Sequence, residues 1–226
     1  MPRDIYQFEL NALSDRIIAL GSRVEFALLD SVDALKNRNF DANHKIINQD
    51  KFIDEERYAI EADTLTLIAT QAPMASDLRR LAAVLEIVGE LERIGDYAKG
   101  ISNISLMIGN TPFIKPLVDI PLMAKIAADM LHRSLEAFVN MDVEKAASIP
   151  EEDDRVDAMY NQIYRELMTY VIANPKLIEQ VNLLLWTAHN LERAADRVTN
   201  ICERVLFTVT GNMVSVGSEN EGIESF

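Results

Sequence analysis

Residues 90–103 read ELERIGDYAKGISN, and residues 190–203 read NLERAADRVTNICE. A shift of 100 places Leu91 on Leu191, Glu92 on Glu192, Arg93 on Arg193, Asp96 on Asp196 and Ile101 on Ile201. Self-similarity at a fixed period is the signature of a repeated architecture, so the chain is read as two copies of one unit. Each copy sets Glu and Asp four residues apart within a helical pattern, where side chains at i and i+4 are neighbours on one face. Like charges so placed repel unless a cation lies between them.

Working outward, Phe8, Leu10, Leu13, Ile17, Leu20, Val24, Ala27, Leu28, Val32 and Leu35 recur at spacings of three and four, which predicts a helix over 4–38. A break at 37–41 leads to a second helix over 42–70, with Asp41 as its expected N-cap. In that helix Ile46, Ile53, Ile60 and Leu67 repeat every seventh residue, one stripe of a bundle helix. Pro73 ends it, and a third helix follows over 76–108 with Leu81, Val84, Val88, Leu91, Gly95 and Ala98 inward. The segment 109–118, GNTPFIKPLV, carries Gly, Asn and two prolines and reads as a linker. Helices over 121–139, 143–172 and 176–209 then replay the first half, with Asn140-Met141-Asp142 matching Asn37-Arg38-Asn39.

Short connections between long helices favour antiparallel neighbours. The expected fold is therefore all-α: two tandem three-helix bundles, six long helices in all. The first repeat occupies 1–108 and the second 119–211, with the linker 109–118 between them. Residues 212–226 are polar and aperiodic and read as a flexible tail.

Composition narrows the function. With 36 acidic against 22 basic side chains, the net charge of −14 repels nucleic acid and anionic lipid and enriches cations near the surface. No uncharged run reaches the roughly 18 residues that a membrane span needs, and the N-terminus lacks the apolar core of a signal peptide, so a cytoplasmic location without membrane insertion is expected. The single cysteine, Cys202, falls on a helical pattern and reads as a small core residue. Phosphate-loop and dinucleotide fingerprints are absent, as are the E-x-x-H pairs of di-iron bundles, so no enzyme activity is expected.

The acidic pairs carry the remaining information. Asp50 and Asp54 lie on the helix before Glu92 and Asp96; Asp153 and Asp157 lie on the helix before Glu192 and Asp196. Where those helices are adjacent and antiparallel, four carboxylates converge on a patch in each half. Oxygen donors without thiolate make a hard-ligand set suited to Mg²⁺, Mn²⁺, Ca²⁺ or iron. Gly95 and Ala195 are expected to leave room for an ion over the helix. His189, three residues before Glu192, is placed to join the second patch, whereas Gly89 holds the matching position in the first. The alternative is that the acids are solvated or paired with Arg93 and Arg193. His44 and His132 have no matching set and read as surface or interhelical residues.

The run APMASDLRRL at 72–81, with LERIGDYA at 91–98, resembles the first-repeat motif of the PhoU family of phosphate-uptake regulators. HNLERAAD at 189–196, NICER at 200–204 and the closing VTG at 209–211 resemble the second-repeat pattern. The resemblance covers residues 4–211. It implies two three-helix bundles related by pseudo-twofold symmetry, whose E/D-x-x-x-D motifs hold multinuclear or divalent metal (iron, zinc, manganese or magnesium). Carried onto this chain, those positions are Asp50, Asp54, Glu92 and Asp96, and Asp153, Asp157, Glu192 and Asp196. The resemblance adds Glu203 as a further acid in the second half. Asn103 stands at that place in the first, and Lys99 and Gly100 also depart from the pattern, so a weaker first site is expected.

The resemblance also implies a cytoplasmic adaptor, with a homodimer as a further expectation. Its partners would be the phosphate-responsive histidine kinase, which it restrains, and the high-affinity phosphate ABC transporter, which it modulates. A metal-dependent hydrolase or metal store on the same bundles is the competing reading.

Overall fold

A computed structural model describes residues 2–212 and is helical throughout, so all of the expected tail except Asn212 lies outside the described residues. In the first repeat, α1 (Pro2–Asn37), α2 (Phe40–Gln71) and α3 (Ser76–Ile108) run up, down and up. In the second, α4 (Asp119–Asn140), α5 (Val143–Ser148), α6 (Asp153–Ala173) and α7 (Ile178–Thr210) repeat the course. No helix among the described residues is long and apolar enough to cross a membrane.

The tight turns show the repeat at atomic level. Arg38 and Met141 both take a left-handed conformation, φ 55° and 54°. The following amides, Asn39 and Asp142, donate back to Ala34 and Ala137 carbonyls at 2.9 Å each. That bond satisfies carbonyls a helix end leaves open. Asn39 and Asp142 then cap the next helix, accepting from the Ala42 and Lys145 amides. The cap of α2 is thus Asn39 rather than the expected Asp41, because the left-handed turn at Arg38 starts the helix two residues earlier.

The fifth helix differs from the expected continuous span over 143–172. It is cut into α5 and α6 by a 3₁₀ turn at Ile149–Glu152, which contains Pro150. Proline donates no amide, and its ring collides with the carbonyl four residues back, so an unbroken helix through Pro150 is disfavoured by ~3 kcal/mol. As a result Asp153 opens α6, whereas Asp50 lies inside an uninterrupted α2.

Packing follows the sequence stripes. Ile46, Ile53, Ile60 and Leu67 of α2 are all buried, as are Leu10 through Leu35 of α1 apart from half-buried Ala27. Phe8, expected in that stripe, is exposed, and Tyr6 takes the inward place one turn earlier. Cys202 is fully buried as expected, and burial pushes its thiol up to about 12.

The four helices α1, α3, α4 and α7 form the middle of the molecule, flanked by α2 and α6, and one continuous apolar cluster runs through both repeats. The contact between α3 and α7 is antiparallel. Glu86 meets Arg204, Glu90 meets Asn200, and Tyr97 meets Arg193, so as one number rises the other falls by as much. The pairing is reciprocal: position 90 meets 200, while Gly100 lies against the amide of Asn190. This is the pseudo-twofold relation between the halves.

α1 and α4 approach closely at Gly21, where an added Cβ would lie 2.0 Å from Leu135 Cδ1. Gly21→Val should therefore destabilise the protein by about 2–3 kcal/mol, since extra atoms in a packed core force displacement. Gly89, whose added Cβ would meet nothing within 4 Å, should behave oppositely. Gly89→Ala should stabilise by about 0.5–1 kcal/mol by removing a mid-helix glycine. Urea unfolding midpoints of the two variants check both signs.

Candidate metal centre

Glu92, Asp96 and Lys99 follow one another at spacings of four and three, forming a stripe of α3 beside the buried Leu91, Ile94 and Ala98. That stripe faces α2. Asp50, only 5 % exposed, receives the Lys99 ammonium at 2.5 Å from Oδ2, and the same ammonium is 3.5 Å from Asp96 Oδ1. Arg57 of α2 bonds Glu61 at 2.9 Å and reaches Glu92 at 3.4 Å. Asp54 lies close enough to push up both Glu92 and Asp96, although burial is the larger cause in each. The Asp50 hydrogen bond in turn raises Lys99 above its ordinary range. In the first patch, then, Asp50, Asp54, Glu92 and Asp96 come together around two permanent cations.

The second patch has the same acids and lacks those cations. Thr199 occupies the place of Lys99, and its hydroxyl donates to the Asp196 carbonyl on its own helix at 2.8 Å. Tyr160 occupies the place of Arg57. Burial, with Asp157, Asp196, Glu192 and Asp154 nearby, pushes Asp153 up to about 7. Burial and Asp196 raise Asp157 and Glu192 as well. Asp153 Oδ1, Asp157 Oδ1 and Glu192 Oε2 are buried with no hydrogen-bond donor. His189 is the nearest titratable base: its Nδ1 is 3.0 Å from Glu192 Oε2, within ion-pair distance but outside hydrogen-bond alignment. Its ring tilts against Tyr160 at 5.9 Å.

Buried polar atoms are ordinarily paired, and orphaned ones ask for a partner. Three hard oxygen donors without one fit a divalent cation in the second half. Among the described residues, no three potential ligands already surround a common ion position, so binding requires rotation of the side chains. Glu203 stands two turns beyond Asp196, about 10 Å along the axis, and lies 3.8 Å from Arg204.

Two expectations change. Gly95 leaves no room for an ion, because its missing side chain accommodates Ile53, whose Cδ1 lies 3.0 Å from where a Cβ would be; Ala195 is likewise packed inward. Arg93 and Arg193 do not pair with the motif acids. Arg93 bonds Glu90 at 2.6 Å on its own helix, and Arg193 donates to the Tyr97 hydroxyl at 3.1 Å. The compensating cation that sequence reading missed is Arg57, whose only signal was its place three residues after Asp54. Of the other histidines, His44 is exposed and His132 is interhelical, 3.3 Å from Glu25 of α1.

The crowding of Asp153 has a measurable consequence in protein kept in chelator. Between pH ~4 and ~7 the folded state holds a proton on Asp153 that the unfolded state has lost. The contribution of this group to stability therefore falls as pH rises through that window. Asp153→Asn should flatten the decline and raise the melting temperature at pH 8 by several degrees, measured by calorimetry at both ends of the range.

Comparison with known proteins gives the family of the chain. The PhoU domain family matches residues 17–105 and again 120–205. The chain is 34% identical over 206 residues to the phosphate-specific transport system accessory protein PhoU of Escherichia coli (strain K12), covering 91% of this chain and 86% of that one. The PhoU homolog of Zymomonas mobilis is also 34% identical, over 91% of this chain and 87% of its own. Among solved structures, PhoU from Pseudomonas aeruginosa superposes with a TM-score of 0.87 at 28% identity, covering 92% of this chain and all of that one (100%). The phosphate transport system regulatory protein PhoU from Streptococcus pneumoniae gives 0.86 at 29% identity, covering 92% of this chain and 99% of that one. With one domain match in each repeat and relatives aligned over nine-tenths of its length, the chain belongs to the PhoU family of phosphate transport accessory proteins.

Proposed function

We propose that this protein is a cytoplasmic, non-enzymatic regulator of phosphate homeostasis. It acts as an adaptor that restrains the phosphate-responsive histidine kinase and modulates the high-affinity phosphate ABC transporter when phosphate is plentiful. The observation that carries the reading is the match of both repeats to proteins named as accessories of the phosphate-specific transport system. Long, strongly acidic helical faces without a nucleotide fingerprint suit an adaptor better than a catalyst.

A divalent cation belongs to the same proposal. Asp153, Asp157, Glu192 and Asp196 would hold it, with His189 beside Glu192, since this is where buried carboxylate oxygens have no lysine or arginine against them. The ion would supply positive charge joining α6 to α7. The residues themselves set the position: burial and mutual repulsion raise the affinity of the carboxylates for any cation, proton or metal alike.

Two measurements test the proposal. In cells lacking this protein, a phosphate-starvation reporter should be switched on in high phosphate. The wild-type chain should silence it and co-purify with the kinase or the transporter ATPase; failure of both would overturn the adaptor reading. Separately, elemental analysis of protein purified without chelator should find metal that is lost in Glu192→Ala/Asp196→Ala. Equal metal in both would overturn the assignment of the site.

A further inference from the structure

The two acidic patches have the same carboxylates, yet they do not fit a metal ion equally. In the first, Asp50 Oδ2 and Asp96 Oδ1 are two of the oxygens through which an ion would bridge α2 and α3, and both already face Lys99 Nζ, at 2.5 and 3.5 Å. Arg57 adds a second positive charge 3.4 Å from Glu92. Asp50 is nearly inaccessible while the Lys99 side chain is partly exposed, so the bond holds a buried carboxylate from the protein surface. At the equivalent positions of the second patch stand Thr199, with its hydroxyl turned to its own backbone, and Tyr160. There one buried oxygen each of Asp153 and Asp157 has no donor, and Glu192 Oε2 has only the His189 ring beside it, at 3.0 Å.

We infer that the Lys99 ammonium is a built-in cation that takes, in the first repeat, the place a metal ion takes in the second, so that the chain loads metal in one half only. This rests on the metal reading of the second half given above. A tethered ammonium differs from a bound ion in one respect that matters: it does not leave when free metal falls. The first patch thus keeps its two cations at all metal concentrations, while the second responds to them. A metal entering the first patch would have to displace Lys99 and sit close to two positive charges.

Mn²⁺ titration followed by electron paramagnetic resonance tests this on the full chain. Wild type should take up Mn²⁺ and Glu192→Gln/Asp196→Asn should abolish it. Adding Lys99→Thr, which copies Thr199, or Lys99→Met, which keeps the aliphatic stem, to that double variant should restore uptake at least tenfold. Circular dichroism confirms that each variant is folded. In chelator, Lys99→Met should lower the melting temperature, and Asp50→Asn on top of it should recover the loss, a coupling independent of any metal.

Uptake that survives Glu192→Gln/Asp196→Asn and disappears with Asp50→Asn/Asp96→Asn would overturn the role of Lys99 while leaving metal binding intact. So would failure of both Lys99 variants to restore uptake when wild type binds. Uptake by the Lys99 variants but not by wild type would instead remove the second-half site and leave Lys99 as the blocking cation. Uptake by none of the proteins would overturn both readings together.

Discussion

The antiparallel seam between α3 and α7 is the constraint on which everything else depends. Glu86, Glu90, Tyr97 and Gly100 mark the face that α3 gives to it and Arg204, Asn200, Arg193 and Asn190 the face of α7, while Leu91, Ile94, Ala98 and Ile101 and their counterparts Leu191, Ala194, Val198 and Ile201 are buried almost completely in the shared core. Each helix has one face committed to this seam. The next stripe round the cylinder carries Glu92 and Asp96, or Glu192 and Asp196, and must turn toward the outer helix of its own repeat. The acids meet α2 and α6 because a neighbouring face of each helix is taken up by the seam. Amphipathic geometry alone therefore places both patches, one on each side of a pseudo-twofold axis.

Identical placement does not produce identical electrostatics. A carboxylate taken out of water is tolerated when a cation accompanies it and becomes a proton acceptor of raised affinity when none does. Asp50 and Asp153 show the two outcomes at equivalent positions: one held by Lys99, the other crowded by Asp157, Asp196 and Glu192. The difference comes from two substitutions, Lys99 against Thr199 and Arg57 against Tyr160, neither of which alters the backbone course of its helix. The duplicated fold has kept its frame while the charge balance of the halves has diverged.

Much of this was legible before any coordinates, and what was not has a common cause. The period-seven stripe of α2 and the inward positions of α3 are local patterns, so they could be read directly. Asn39 displaced Asp41 as cap because a left-handed residue moved the helix start, a backbone detail that side-chain type does not announce. Pro150 was visible in the letters, but the likeness of the halves suggested an unbroken helix like α2. Gly95 beside Ile53, and Arg57 beside Glu92, are contacts between helices, and no stripe on a single helix encodes which neighbour fills a gap or supplies a charge. The acids of the candidate site were readable; their compensation was not.

The shared core bears on how the chain acquires its structure. Residues that meet across the α3–α7 seam, such as Glu86 and Arg204, are more than 100 positions apart, so the seam closes only after a long stretch of chain has been made. On the ribosome, the first three helices emerge with the apolar faces of α1 and α3 still uncovered, because what covers them is α4 and α7. The earlier repeat is therefore completed by the later one rather than standing ready for it. Contacts of such sequence separation slow folding and lengthen the time that apolar surface is exposed to other molecules. A duplicated chain built on one core gains a stable middle, and it must wait for its last helix to obtain it.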